Sequence, residues 1–522
     1  MPMTAADYRE SLRRHSPRVF VDGERIESVV DAPQLQPGIN ALGVTYDMAL
    51  RDELAPIMQA VQTTSGKTVN RMLHVDQTSG DLLNKLEAVR VLCQETGCAQ
   101  RYLAHDAFSA LVSATARTDA DEGTAYGERF TAYLHDFQDK DLSIGIAMTD
   151  AKGDRSKRPH EQANVDSYVH IVEKNGKGIV ISGTKAIVTG APYVHEFLVM
   201  PCRSMAEADA AFAVCCAVPC DADGVTIVAR PAGRPGEKAA LFSNKYGQST
   251  GVVVFDRVNV PWERVFLAGE WEHSAHLTYS YATHHRHTCI AARAGFGDLL
   301  IGAGALMCEA NGFDPGAETH LREQMVQLIT IVEGFYACGV AASVYASEDP
   351  LTKTVMPDPV FSNIGKLLLA NQIYDMHRIA HYVSGGLIVT LPGPDEDHNP
   401  ETAASLADVL RASPDVPYDK RIQAARFIED LTASYQGGWY SVISLHGGGS
   451  PAAMKQEIWR NYPVGNKVEL VERLLERNVL AEPGRKIVAH RQPGKCCDAG
   501  CTPPSRTTMV ELPPPQATKA SG

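Results

Sequence analysis

Three short stretches of this chain hold residues whose types and spacing suit chemistry. The first is Cys98-Ala99-Gln100-Arg101-Tyr102, with His105 three residues on. The second is His285-Arg286-His287-Thr288-Cys289, with Ala292 after it. On a helix, residues four apart share a face. Arg101 and His105 are so spaced, which would let them grip a carboxylate, a phenolate or another anion together. The plainer alternative is that Arg101 pairs with Asp106 or another acid, while His105 donates within a polar helix contact. Cys289 lies four residues after His285, so an imidazole beside the thiol could lower its pKa from about 8.5 and make it a base. The alternative is a small buried residue that fills space. Cys93, five residues before Cys98, is turned about 140° from it on a helix. Cys98, His285 and Cys289 thus give at most three donors for a metal such as zinc, and no metal site is expected.

The third stretch is Ala147–Pro159, AMTDAKGDRSKRP. Its Thr, Ser and backbone amides suit a polar or anionic ligand, with Arg155 and Lys157 as phosphate partners. A solvated loop whose charges pair with one another is the alternative.

Three textures would position these residues. Residues 46–140 read as helix, with apolar residues three and four apart in DLLNKLEAVRVLCQETGCAQRYLAHDAFSALVSATA. Residues 141–265 hold β-branched runs (GIVISG, HEFLVMP, FAVCCAVP, GVVVFDRVNV) separated by turn signals, as in an antiparallel sandwich or barrel. Helical texture returns from 278, long enough for a bundle. The expected fold is α+β, with an N-terminal helical domain (1–142), a middle antiparallel β-domain (143–277) and a C-terminal helical bundle (278–490). Residues 491–522, rich in Pro, Ser and Thr and holding Cys496, Cys497 and Cys501, read as a flexible tail. Gly385-Gly386 and Gly447-Gly448-Gly449 permit close backbone approach, or simply end helices.

The 522 residues are 44% hydrophobic and 21% charged, which excludes a disordered or collagen-like chain. The 49 Lys and Arg against 62 Asp and Glu give a charge of -13, a poor basis for binding nucleic acid or anionic membranes. No apolar run of about 20 residues or secretory signal is evident, so a cytoplasmic address is expected. Its twelve cysteines are then thiols, not disulfides.

The order helices, β-domain, helical bundle resembles the acyl-CoA dehydrogenase-like flavoenzymes, and VVVFDRVNVPWERVF resembles the end of their β-domain. AMTDAKGDRSKRP resembles the flavin-binding segment of the family that contains 4-hydroxyphenylacetate 3-monooxygenase and 4-hydroxybutyryl-CoA dehydratase. SPRVFVDGERIESVVDAP, GIVISGTKAIVTGAPYVHEFLVMP, VSGGLIVTLPGP and SLHGGGSPAAMKQ agree, so the resemblance runs over about residues 8–470. AMTDAKGDRSKRP, YACGVA and HGGGSP lie nearer the dehydratase branch. The resemblance implies FAD, with Met148, Thr149, Asp154, Arg155 and Ser156 in the flavin loop and Lys185, Thr189 and Gly190 in a second turn, GTKAIVTGAP. It also implies a homotetramer or homodimer.

The chain departs from both branches. The dehydratase pattern supplies four ligands to a four-iron, four-sulfur cluster as Cys-x3-Cys and His-x6-Cys. Here Tyr102 and Ala292 replace two of the thiolates, and no cluster is expected. Cys289 and Thr250 stand where that branch has a substrate tyrosine and glutamate. The monooxygenase branch places an arginine, a tyrosine and a histidine on its phenol; the matching residues are Arg101, His105 and Ile146. Arg101, His105 and His285 are therefore the expected catalytic residues. The leading expectation is a two-component monooxygenase that uses reduced FAD from a separate flavin reductase, dioxygen and a small organic substrate. The alternatives are a cluster-free dehydratase, isomerase or dehydrogenase on an acyl-CoA-type thioester, and a non-enzymatic flavin-binding relative.

Overall fold

The computed structural model describes residues 2–475, apart from Pro235, Pro315 and Glu318, and the short strands Lys486–Val488 and Met509–Glu511. The expected tail with Cys496, Cys497 and Cys501 lies outside the described residues.

Two sheets form the middle of the molecule. The larger has six strands in the order Glu24–Ile26, Val19–Val21, Val225–Ala229, Thr250–Pro261, Gly178–Thr189 and His170–Asn175. The smaller has four, in the order Val265–Ala268, Val214–Pro219, Glu196–Val199 and Ile144–Ala147. Val253 and Phe255 of one sheet and Phe197 and Val214 of the other are buried in one shared core, which makes the pair a sandwich. It departs from the expected antiparallel plan at two edges. Val19–Val21 pairs in parallel with Ile227–Ala229, and Ile144–Ala147 pairs in parallel with Glu196–Val199. The hairpin Val19–Ile26 joins the large sheet although it lies far upstream, because its alternating burial fills an otherwise open strand edge.

The helices pack around a second core. The Ser79–Thr96 helix starts at a Thr78–Asp81 capping box and stops at Gly97, whose φ of +67° favours glycine. Cys98 therefore lies in the connector before the next helix, Tyr102–Glu122, and does not share a helix with Tyr102. The Ser274–Ala310 helix, 37 residues without proline, is the axis of the C-terminal bundle. Gly295 lets the Ser79–Thr96 helix approach it, since a Cβ there would lie 2.3 Å from the Arg90 carbonyl oxygen. Phe108, Phe130, Phe137 and Phe266 pack across the join between helices and the small sheet, edge-on for Phe108–Phe137 and Phe130–Phe266 and tilted for Phe108–Phe130. Each such pair adds about 0.5–1.5 kcal/mol beyond its burial.

Trp271–Ala310 and Thr319–Val344 are long and apolar enough to cross a membrane by length and composition, which the search for apolar runs missed. Both pack against neighbouring bundle helices, and the first is interrupted by buried polar residues from Thr283 to Arg293.

Candidate active site

A buried polar seam runs between the Ser274–Ala310 and Tyr102–Glu122 helices. Buried polar groups need partners, and here the two helices supply them to each other. His285 Nδ1 lies 3.0 Å from Asp106 Oδ2, and the Thr288 hydroxyl donates to Asp106 Oδ1 at 2.6 Å. A carboxylate only accepts, so His285 Nδ1 carries a proton and its other nitrogen is turned to Cys289. Nε2 lies 3.5 Å from the Cys289 sulfur. Tyr281 stacks on the imidazole, with ring centroids 5.4 Å apart.

The electrostatics follow from this geometry. Burial pushes the His285 imidazolium down, but Cys289 and Asp106 outweigh it and raise the pKa to about 10. Burial pushes the Cys289 thiol up, yet the facing His285 overcomes it and the net shift is downward. Burial also raises Asp106, and His285 and Lys85 hold it below the usual carboxylate range. Behind Asp106 the seam continues: Lys85 Nζ is 3.8 Å from Asp106 Oδ1 and 3.3 Å from Asp76 Oδ2.

A cavity of about 50 Å³ opens on this seam. Cys98, Gln100, Tyr102, Thr189, His285, Cys289, Ala292, Arg293 and Lys366 line it, with Leu103, Leu369, Trp439 and Ile443 as the apolar wall. Lys366 Nζ donates to the Ser444 carbonyl at 2.5 Å, and burial pulls its pKa down to about 8.

The structure brings only part of the sequence-predicted set to this cavity. His285 and Thr189 line it. Arg101 does not. Its guanidinium is stacked 3.8 Å above the Tyr46 ring, pairs with the Asp141 carboxylate and donates to the Asp141 carbonyl at 2.8 Å. Its acid is thus Asp141 and not Asp106. His105 points to the far side of the seam, with Nε2 2.9 Å from Asp76 Oδ2 and Nδ1 2.7 Å from the Arg71 carbonyl. The two do not grip one ligand, because Arg101 caps the helix from outside its first turn instead of sharing its face.

The flavin-loop residues divide similarly. Met148 is half-buried against the helical core and Thr149 accepts from the Ala186 amide at 2.7 Å. Asp154 accepts from the Ser156 amide at 3.0 Å and from its hydroxyl at 2.7 Å, shaping an exposed turn. Arg155 is exposed beside them and makes no ion pair among the described residues. Lys185 is not available to a ligand: it is buried, 2.6 Å from Asp150 Oδ1, and donates to the Met200 and Met148 carbonyls at 2.7 and 3.0 Å. It ties the loop to the strand. Gly190 adopts φ +73°, and a Cβ there would lie 1.7 Å from Gln100 Nε2. The Gln100 Oε1 is buried without a hydrogen-bond partner among the described residues.

Sequence reasoning gave Asp106 no role with His285, and it missed Lys366 and Gln100. Lys366 had a signal: it is the single charge in the apolar stretch NIGKLLLANQIY before Asp375.

The four positions that the resemblance gives to cluster ligands, Cys98, Tyr102, His285 and Ala292, all line this one cavity. Their chemistry does not suit a cubane. Ala292 has no donor, and burial raises the Tyr102 phenol well above its ordinary pKa, so it stays protonated. The Tyr102 hydroxyl instead lies 3.7 Å from the Cys98 sulfur, inside the space between the donors. Nor do Cys98, His285 and Cys289 converge on one ion; among the described residues, the group whose donor atoms come close enough is His15, Cys220 and Asp221.

Comparison with known proteins agrees with this architecture. Residues 4–267 match the N-terminal region, and residues 274–476 the C-terminal region, of the 4-hydroxyphenylacetate 3-hydroxylase family. The chain belongs to that family. It is 35% identical over 489 residues to the 4-hydroxybutyryl-CoA dehydratase/vinylacetyl-CoA-Δ-isomerase of Clostridium aminobutyricum, covering 90% of this chain and 99% of that one. It is 25% identical to the oxygenase component of 4-hydroxyphenylacetate 3-monooxygenase from Thermus thermophilus, over 91% and 97% of the two chains. Among solved structures, an oxygen-tolerant 4-hydroxybutyryl-CoA dehydratase from N. maritimus superimposes with a TM-score of 0.87 at 33% identity, over 91% of this chain and 95% of that one. The 4-hydroxyphenylacetate 3-monooxygenase oxygenase component complexed with FAD shares the fold, with a TM-score of 0.81 at 22% identity over 92% and 99%.

Proposed function

We propose that the protein is a cluster-free FAD enzyme that moves a proton on a small acyl thioester, as a dehydratase, isomerase or dehydrogenase. The observation that supports this reading is the His285–Asp106 pair on the cavity wall, set against the withdrawal of Arg101 and His105 from it. The grip on a phenolate expected from the monooxygenase branch lacks its residues, whereas a buffered acid–base pair is in place. The greater identity to the dehydratase points the same way.

The residues present fit FAD. Thr189 and the unpartnered Gln100 Oε1 offer polar contacts at the cavity, and the exposed Arg155 and the Asp154–Ser156 turn offer cationic and hydroxyl partners for a pyrophosphate. When bound, FAD would supply an electron sink. His285, protonated at rest, would give its proton from Nε2 and take it back, with Asp106 fixing its ring and compensating its charge. Lys366, at the same cavity, would stabilise negative charge developing on a thioester oxygen. Leu103, Leu369, Trp439 and Ile443 would keep water from the reacting carbon.

A second reading is the two-component monooxygenase, with reduced FAD as co-substrate from a separate reductase. The apolar side of the cavity favours it, since oxygen chemistry needs a dry pocket. Anaerobic turnover of short-chain acyl-CoA thioesters by the FAD-loaded protein supports the first reading. Oxygen consumption that depends on an added flavin reductase and yields a hydroxylated product supports the second. Iron and acid-labile sulfide measured on anaerobically prepared protein test the cluster-free assignment, and about four of each per chain would overturn it.

A further inference from the structure

Cys289 is the residue that the acid–base reading leaves unused. It lines the cavity, and it faces an imidazole whose other nitrogen is held by a carboxylate. Thiol, imidazole and carboxylate in that order form the arrangement that activates a nucleophile: the base contacts the nucleophile, and a third group orients the base. We propose that Cys289 rests as a thiolate paired with a His285 imidazolium and is a covalent-addition site for conjugated carbonyl compounds, that is, α,β-unsaturated thioesters, amides or ketones.

The surroundings distinguish this sulfur from the others. The other eight described cysteines all have their thiol pKa raised, first by burial; Cys289 alone is lowered. Lys366 on the neighbouring Pro359–Val383 helix also favours the anion, and Asp106 opposes it. Arg286 and Arg293, on the thiol's own helix, add positive charge. From the opposite side come Cys98 and Tyr102, and from two helix turns earlier Tyr281, all raised by burial and hence neutral. No carboxylate besides Asp106 is paired with the Cys289–His285 couple among the described residues.

The step balances without an oxidant. The sulfur lone pair forms a bond to the β-carbon as the carbon–carbon π pair moves toward the carbonyl. The His285 Nε2 proton then passes to the α-carbon. The net change is addition of S–H across the double bond, and elimination reverses it. This inference concerns the thiolate itself and does not require an acyl-CoA substrate.

The test uses the purified FAD-loaded protein and acrylamide, a small conjugated amide, followed by peptide mass mapping across pH. Thiolate absorbance in the far ultraviolet is recorded alongside, as the difference between wild type and Cys289→Ser. The absorbance needs no probe to enter the cavity. The expected result is a thiolate difference signal already present at neutral pH, and a Cys289 adduct formed at least about tenfold faster than adducts at Cys202 or Cys338. His285→Gln should remove the neutral-pH signal, and Asp106→Asn should shift it to higher pH. A difference signal that rises only near the ordinary thiol value of about 8.5 would overturn the proposal. So would a neutral-pH signal without selective adduct formation. Acyl-CoA turnover with a neutral Cys289 would reject this inference alone, and a thiolate in a protein inert to acyl-CoA would reject the acyl reading alone.

Discussion

His285 and Asp106, 179 residues apart in the chain, meet at 3.0 Å between Nδ1 and Oδ2 in a seam closed to solvent. This contact fixes which imidazole nitrogen faces the cavity. Asp106→Asn leaves a hydrogen-bond acceptor of similar size but removes the charge that balances the imidazolium. Loss of one partner from a buried pair costs about 3 kcal/mol or more. Denaturant unfolding of a folded Asp106→Asn protein should show a loss of that order, with secondary structure retained. Unchanged stability would mean that the pair is not ionic.

Stability should depend on pH through the same residues. Just below about 8.5 the folded Cys289–His285 couple holds its proton on His285 and the unfolded couple holds one on the thiol, so its contribution is flat. Above about 8.5 the unfolded couple holds none while folded His285 keeps its proton up to about 10, so stability falls as pH rises through that range. The depressed carboxylates Asp76, Asp106 and Asp81 (the last about 2) add stability above about 3.9 that is lost as pH falls through their folded values. Unfolding free energies over the pH range check this.

Lys185 tests the difference between holding a ligand and holding a loop. Its ammonium meets Asp150 and two carbonyls, with both charges buried. Lys185→Met should cost roughly 3–5 kcal/mol, since Asp150 is left without its cation. Lys185→Met/Asp150→Leu should recover much of that loss. Recovery of stability without recovery of flavin affinity would show that Lys185 contacts the flavin after all.

Arg155 should behave oppositely. It is exposed and forms no ion pair among the described residues, so Arg155→Ala should leave the melting temperature of the flavin-free protein unchanged. Flavin affinity should fall roughly ten- to a hundredfold, the effect of losing one charge-assisted contact. Equal affinity in wild type and variant, measured by fluorescence quenching, would remove Arg155 from the binding site.

The layout was legible because it rests on periodicity. The three textures and the turn at Gly190 are local signals and appear in the structure, whereas the helical reading ran through Gly97, where the chain breaks and puts Cys98 in a connector. The site was only partly legible because its pairings are not local. Arg101 and His105 have the spacing of a shared grip, but Asp141 and Asp76 draw them apart, and neither acid is marked by sequence distance. Asp106 was visible as an acid next to His105, yet its partner comes from a helix 179 residues on. His285 and Cys289 lie within one helix turn, and there the spacing alone sufficed.

The proposed function rests on proton transfer at His285, and solvent-deuterium exchange reads that step before any net reaction. The FAD-loaded protein would be incubated anaerobically in deuterated water with short-chain saturated, hydroxy and enoyl CoA thioesters, and the acyl chains followed by mass spectrometry. Deuterium should enter the acyl chain of at least one class, and His285→Gln should slow its entry by about a hundredfold or more, the ordinary scale of general acid–base catalysis. Absence of exchange in every class, together with reductase-dependent oxygen consumption that forms a hydroxylated product, would contradict it.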